Sequence, residues 1–195
     1  MSQPLGLHTF ALIVLFATVG CSHTSAPPPA PTPPAPPPPT PASRPSTTRP
    51  ATTQSAAIDS FQGEYRFLSN FWPAQVVFEG ITYPTAEHAY QAAKSLDPTE
   101  RQRIAASPTP ADAKRAGRAL KPREDWETVK FDVMERVVRD KFTRHADLRQ
   151  QLLATGDAEL IEGNTWGDRV WGVYQGAGEN RLGKILMKVR AELRK

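Results

Sequence analysis

Glu87, Tyr90, Gln91 and Lys94 occur at i, i+3, i+4 and i+7 within the stretch YPTAEHAYQAAKS. On an α-helix that spacing sets a carboxylate, a phenol, an amide and an ammonium group on one face. Ala86, Ala89, Ala93 and Leu96 fill the opposite side. A carboxylate supported by an amide and a cation can stabilise a developing positive charge or take a proton from water. A solvated, charge-optimised helix start would carry the same stripe, so the pattern alone leaves both readings open. The place of Glu87 in the first turn favours its ionised form through the helix dipole.

The segment IEGNTWGDRVWGVYQGAGENRLG, residues 161–183, holds six glycines, two tryptophans and a tyrosine. Glycines permit close backbone approach, and a glycine-rich lead into a helix N-terminus can receive a phosphate through free backbone N–H groups. Arg181 stands beside that helix start. A hairpin followed by a capped helix would look the same, and Asp168 is at face value a turn residue. Trp126 could stack on a flat ring, although a tryptophan near a helix start equally serves a core. The folded part has only two histidines, His88 and His145, and Glu87-His88 lacks the second histidine of a zinc-binding helix. No metal or redox cofactor is implied, and His88 reads as a local hydrogen-bonding residue.

The elements that must position these groups follow from local signals. AQVVFEGITYP predicts a hairpin turning at Glu79-Gly80 and closed by Pro84. Thr85 caps a helix running to about Leu96. Asp97-Pro98, with Glu100 three residues after the cap, opens a second helix, and Thr109-Pro110 opens a third that stops at Gly117. Trp126, Val129, Val133 and Val137 share one face of a long helix to about His145. A short helix spans Asp147 to Ala154, AELIEG and VWGVY read as strands, and Asn180 caps a last helix directing Leu182, Ile185, Leu186, Val189 and Leu193 inward. The fold class is α+β: a mostly helical single domain with a small sheet, lacking a Rossmann or P-loop fingerprint.

The 195 residues are not of one kind. Thirteen of the 20 prolines lie between Pro27 and Pro50. Residues 22–57 therefore read as a disordered Pro/Ala/Thr-rich linker, a polyproline II tether whose stretch from Pro27 to Pro50 alone has a reach on the order of 75 Å. Residues 58–195 remain as the domain, large enough for a core. Its 22 basic residues nearly balance 20 acidic ones, which does not suit a general nucleic-acid binder. Residues 1–21 end in FALIVLFATVGC, an apolar run too short to span a bilayer as a helix but suited to a signal peptide. The TVGC ending resembles a bacterial lipoprotein signal, which makes Cys21, the only cysteine, the lipidation site. Thr18 and an n-region without Lys or Arg depart from that pattern. The expected location is the cell envelope, lipid-anchored, or the cytoplasm where the signal is unused.

FLSNF, YPTAEHAYQAAKS, AKRAGR, WETVKFDVMERVVRDKF, LLATGDAELIE, DRVWG and GENRLGKILMKVR, in that order, resemble the successive motifs of the NADAR, or YbiA-like, family of N-glycosidases. The resemblance runs from about Phe61 to the C-terminus and implies an α+β fold. It implies a hydrolase of the C–N glycosidic bond of ribosylated heterocycles, such as phosphoribosylaminopyrimidine intermediates of riboflavin synthesis. The alternatives it carries are removal of ADP-ribose from modified guanine in nucleic acid, and a surface-tethered module that binds ADP-ribose or a nucleotide without turnover. By similarity Glu87 and Asp168 answer to the family's carboxylates and are the catalytic candidates, and Lys94, Trp126, Trp171, Asn180 and Gly183 fall on its motif positions. Tyr90 from the helix stripe and Arg181 from the last helix start join Lys94, Trp126, Trp171 and Asn180 as the substrate-binding set. The partner implied is a small ribosylated or phosphoribosyl substrate. Nucleic acid enters only as an ADP-ribosylated substrate, the membrane only through Cys21, and no obligate protein partner is implied. WGVYQGAGEN lacks the extra glycine and acidic residue that often follow the family's W-G, which leaves the pocket rim, and with it substrate identity, open.

Overall fold

A computed structural model describes residues 56–195. The signal peptide, the lipidation site at Cys21 and nearly all of the linker lie outside the described residues. The domain opens with Ile58, whose backbone bridges to Leu160 in parallel, and then a 3-10 segment, Gly63–Leu68, that the sequence does not announce. Strands β1 (Val76–Phe78) and β2 (Ile81–Tyr83) form the expected antiparallel hairpin. Its two turn residues, Glu79 and Gly80, both have positive φ (49° and 79°), as a tight two-residue hairpin turn requires. Arg101 clamps that turn through a 2.6 Å ion pair with Glu79.

Helices α1 (Ala86–Ala92), α2 (Pro98–Ala105) and α3 (Pro110–Ala119) start where their caps predict. Asp97 accepts from the Thr99 N–H at 2.8 Å and Thr109 from the Asp112 N–H at 3.1 Å, each satisfying a free donor of a first turn. The ends differ from expectation. α1 stops at Ala92 instead of Leu96, because i→i−3 bonds at Lys94 and Ser95 tighten its last turn and Asp97, preceding a proline, is held out of the helical region. Leu96 is consequently 63% exposed, not part of the packed side. α3 continues through Gly117 to Ala119.

Helices α4 (Trp126–Arg144), α5 (Ala146–Ala154) and α6 (Arg181–Leu193) complete the domain. α4 packs on α6, α5, α1 and β1, and α1 sits between α2, α3, α4 and the hairpin. The core gathers the alanines of α1 with Val133, Val137 and Phe142 of α4 and Leu182, Leu186 and Val189 of α6. Small residues on α1 let its neighbours approach closely, so a seven-residue helix becomes the centre of the molecule. No helix among the described residues is long and apolar enough to cross a membrane.

AELIEG and VWGVY form strands over only part of their lengths. Strand β3 is only Gly163–Asn164 and β4 only Val173–Tyr174, paired in parallel. The eight-residue connection loops out and returns in the same direction, held at its neck by Asn164, whose amide donates to the Asp168 and Val173 carbonyls at 2.7 and 3.1 Å. Asn180 does not cap α6 with its side chain: it has φ 51° and makes no cap bond. Its amide instead donates to the Leu160 carbonyl at 2.8 Å and accepts from the Glu162 N–H at 3.1 Å.

Candidate active site

Every residue of α1 is buried, so its polar stripe is not a solvated face. The Thr85 hydroxyl accepts from the His88 N–H at 3.3 Å and meets His88 Nδ1 at 2.8 Å, while His88 Nε2 lies 3.1 Å from the Ser107 carbonyl. Both ring nitrogens are thereby used locally. The Asn70 carbonyl accepts the Glu87 N–H at 3.0 Å, which ties the segment after the 3-10 turn to the start of α1. Lys141, from α4, holds that segment from beneath by donating to the Phe67 and Ser69 carbonyls at 2.6 and 2.9 Å.

Above this frame lies a cleft of about 750 Å³. Glu87, only 6% exposed, is on its lining. Its Oε1 accepts from Gln91 Nε2 at 2.8 Å, and Gln91 is itself pressed against Gly117 of α3, where a Cβ would collide with the amide. Gly117 is thus a contact residue, not a helix stop. Burial pushes the Glu87 carboxyl above its usual range, outweighing the Gln91 hydrogen bond and the nearby Lys114, Lys94 and Arg118, which all act downward. The helix start does not lower the Glu87 pKa as the sequence suggests, because desolvation of a carboxylate exceeds the dipole's effect.

Aromatic rings form the next layer. Tyr90 packs against Trp126 at 5.2 Å between centroids and edge-on against Trp171 at 5.3 Å, and Trp171 also meets Phe131 at 5.4 Å. Burial, then the charges of Glu87, Glu127 and Asp168, push the Tyr90 phenol well above its ordinary value, so it remains a neutral donor. Lys94 Nζ sits 6.0 Å from the Trp126 ring and 3.5 Å from the Gly117 carbonyl; burial lowers its ammonium pKa while Glu87 raises it. Lys114, over Phe71 at 5.6 Å, Arg118 and Arg66 line the same cleft. None of these four cations forms an ion pair with a carboxylate among the described residues.

The facing wall is the loop from Glu162 to Trp171. Asp168 Oδ1 accepts the N–H groups of Val170 and Trp171 at 2.9 and 2.8 Å, and its own N–H donates to Asn164 Oδ1 at 3.0 Å. Such an Asx turn fixes the carboxylate's orientation and aims Trp171. Glu162, half-buried, lines the cleft as well. Its backbone accepts from the Val173 N–H at 2.9 Å and lies so close to Gly172 that a Cβ there would collide with the Glu162 carbonyl. Burial first, then Asp168 and Glu87, push the Glu162 carboxyl up to about 7 against the pull of Lys114.

The structure therefore brings Glu87, Tyr90, Lys94, Trp126, Asp168 and Trp171 to one cleft. It does not bring Asn180 or Arg181 there. Asn180 is buried with its amide bound to backbone, and Arg181 pairs with Glu179 at 2.7 Å and covers the Phe131 ring at 4.7 Å. Glu162, Lys114 and Arg118 occupy the cleft without having been singled out from sequence. The signal for the two cations was available: Lys114 and Arg118 are four apart in AKRAGR, a like-charge pair that weakens a helix unless a ligand answers it.

A concave, tryptophan-walled site with a few convergent charged groups is the architecture of a small-molecule site, and its carboxylates and free cations suit a polar, anionic ligand. The chain belongs to the NADAR domain family, whose model matches residues 58–194. It is 45% identical over 139 residues to the N-glycosidase YbiA of Escherichia coli K12, an alignment covering 69% of this chain and 85% of that protein. An N-glycosidase of Nostoc punctiforme is 42% identical over 136 residues, covering 67% and 86%. A riboflavin biosynthesis protein of Vibrio vulnificus is 41% identical over 130 residues, 65% of this chain and 35% of that longer protein. The NMR structure of E. coli YbiA superposes with a TM-score of 0.65 at 40% identity, covering 72% of this chain and 86% of that one.

Proposed function

We propose that the domain is an N-glycosidase that hydrolyses the bond between ribose and a heterocycle or its amine, with phosphoribosylaminopyrimidines of riboflavin synthesis as the substrates. The observation that carries this reading is the buried Glu87, which faces a walled cleft instead of solvent in a domain 45% identical to a named N-glycosidase. Breaking a ribosyl C–N bond builds positive charge on the sugar, and a fixed carboxylate beside the anomeric carbon stabilises it and takes the proton of attacking water. Glu87 fills that role. Asp168 presents its free oxygen to the ribose hydroxyls, since its other oxygen is committed to backbone. Trp126 and Trp171 wall the base. Lys94, Lys114 and Arg118 receive the phosphate, with Arg181 left outside.

The test is mass spectrometry of the purified chain with riboflavin-pathway intermediates, NAD, ADP-ribose and ADP-ribosyl-guanosine. Release of free base from the first group supports the reading. Release only from ADP-ribosyl-guanosine moves the substrate to ADP-ribosylated nucleic acid. A complex by calorimetry with no base released makes the domain a binding module. The lipid anchor at Cys21 is a separate proposal, motivated by the TVGC ending. Palmitate label that persists in Cys21→Ala would exclude it.

A further inference from the structure

We infer that Glu162 is the general acid that protonates the departing heterocycle, a role that rests on the N-glycosidase reading. The cleft holds three carboxylates from two walls, and their surroundings divide the work. Glu87 receives an amide hydrogen bond at 2.8 Å and faces Lys94, Lys114 and Arg118. Asp168 receives two backbone N–H bonds at one oxygen. The amide bond and the three cations act on Glu87 against the burial that raises its pKa, and the two N–H bonds commit one Asp168 oxygen to backbone. Glu162 differs in each respect. No donor reaches its carboxyl among the described residues, although the backbone on either side of it is pinned by Asn180 and Val173. The groups facing it are Asp168 from its own loop, Glu87 from α1 and the single cation Lys114 from α3, with Arg66 on the same lining. Asp59 on the adjoining segment is exposed. Burial and two negative neighbours, with no donor at its carboxyl, favour the protonated form of Glu162.

In the step, the anomeric carbon–nitrogen bond breaks with both electrons going to nitrogen, and the Glu162 proton passes to that nitrogen. Water oxygen bonds to the anomeric carbon and its proton moves to Glu87. Solvent exchange returns a proton from Glu87 to Glu162. Atoms and charge balance without a co-reactant. The carboxyl titrating near 7 places the loss of acid function at neutral pH.

The experiment compares pH–rate profiles of the full-length wild type and Glu162→Gln on the phosphoribosylaminopyrimidine. The wild-type kcat falls as pH rises through about 7. Glu162→Gln loses about a hundredfold or more in kcat, shows no alkaline limb, and keeps KM within a few-fold; Glu162→Asp restores part of both rate and limb. Thermal midpoints of the variants confirm folding. An active wild type beside a Glu162→Gln that retains its rate or its alkaline limb overturns the acid role alone. A wild type that releases no base overturns the N-glycosidase reading, and the acid role with it.

Discussion

The two walls of the cleft are built by opposite means. The wall made by α1 and α3 rests on helical regularity: Thr85 and Thr109 cap, alanines pack, and Gly117 lets Gln91 sit tight and hold Glu87. The wall from Glu162 to Trp171 has almost no regular structure. Two residue pairs form its short ladder, and the amides of Asn164 and Asn180 replace the missing backbone partners. The first wall can hold a charge rigidly against a reacting carbon. The second gains shape from side-chain-to-backbone bonds, so its residues are coupled to one another more than to the core.

The largest effect expected from this division is on Glu87. Glu87→Gln keeps the Gln91 contact and the shape of the wall but removes the negative charge, and kcat should fall about a hundredfold or more with the fold intact. Purified variant and wild type compared at saturating substrate decide it; equal turnover would remove Glu87 from the chemistry. On the other wall the expected loss is of structure. Asn180→Ala leaves the buried Leu160 carbonyl and the Glu162 N–H without their partners, a cost of about 1–3 kcal/mol for a stranded group, read as a lower urea midpoint. A fall in rate with no change in midpoint would mean that Asn180 touches substrate and that the two walls are not built as described.

The same contrast explains what the sequence disclosed. Caps, the Glu79-Gly80 turn, the long α4 and the Glu87 stripe are carried by residues a few positions apart, so spacing suffices to find them. The second wall depends on partners 18 and 20 positions apart, Glu162 and Leu160 with Asn180, which no local pattern contains. Asn180 thus reads as a helix cap and the flanking runs as full strands. Glu162 was hidden inside an apparent strand, since its burial between carboxylates exists only once the loop folds over α1. Gly117 read as a stop because glycine ends helices more often than it serves as a contact. Arg181 followed its helix start into the site on paper, whereas Glu179 and Phe131 draw it away.

Between the walls, the cations test whether the first wall also anchors the substrate. Lys114→Met should raise KM about tenfold for a phosphorylated substrate, the worth of about 1.4 kcal/mol, and leave it nearly unchanged for the dephosphorylated nucleoside. Added salt should weaken wild-type binding more than that of the variant. Equal KM changes for both substrates would assign Lys114 to the fold or to the base.

The smallest effect on the reaction itself lies beneath the first wall, at Lys141. It is 1% exposed and has only the Phe67 and Ser69 carbonyls for polar company, so burial pushes its ammonium down to about 7. In the unfolded chain it would titrate near the ordinary lysine value. Between those two values the unfolded chain binds a proton that the folded chain does not, and stability therefore rises with pH across that window, by at most about 1.4 kcal/mol per pH unit. Below about 7 both forms are charged and the full penalty of burying the cation persists. Lys141→Met abolishes this slope, because methionine carries no proton, although it leaves two carbonyls needing other partners. Urea midpoints of wild type and variant measured through the neutral-to-alkaline range should diverge in favour of wild type as pH rises. Parallel curves would mean that Lys141 stays charged in the fold, with the segment before α1 held by a full ammonium and the base of the first wall more polar than its burial implies.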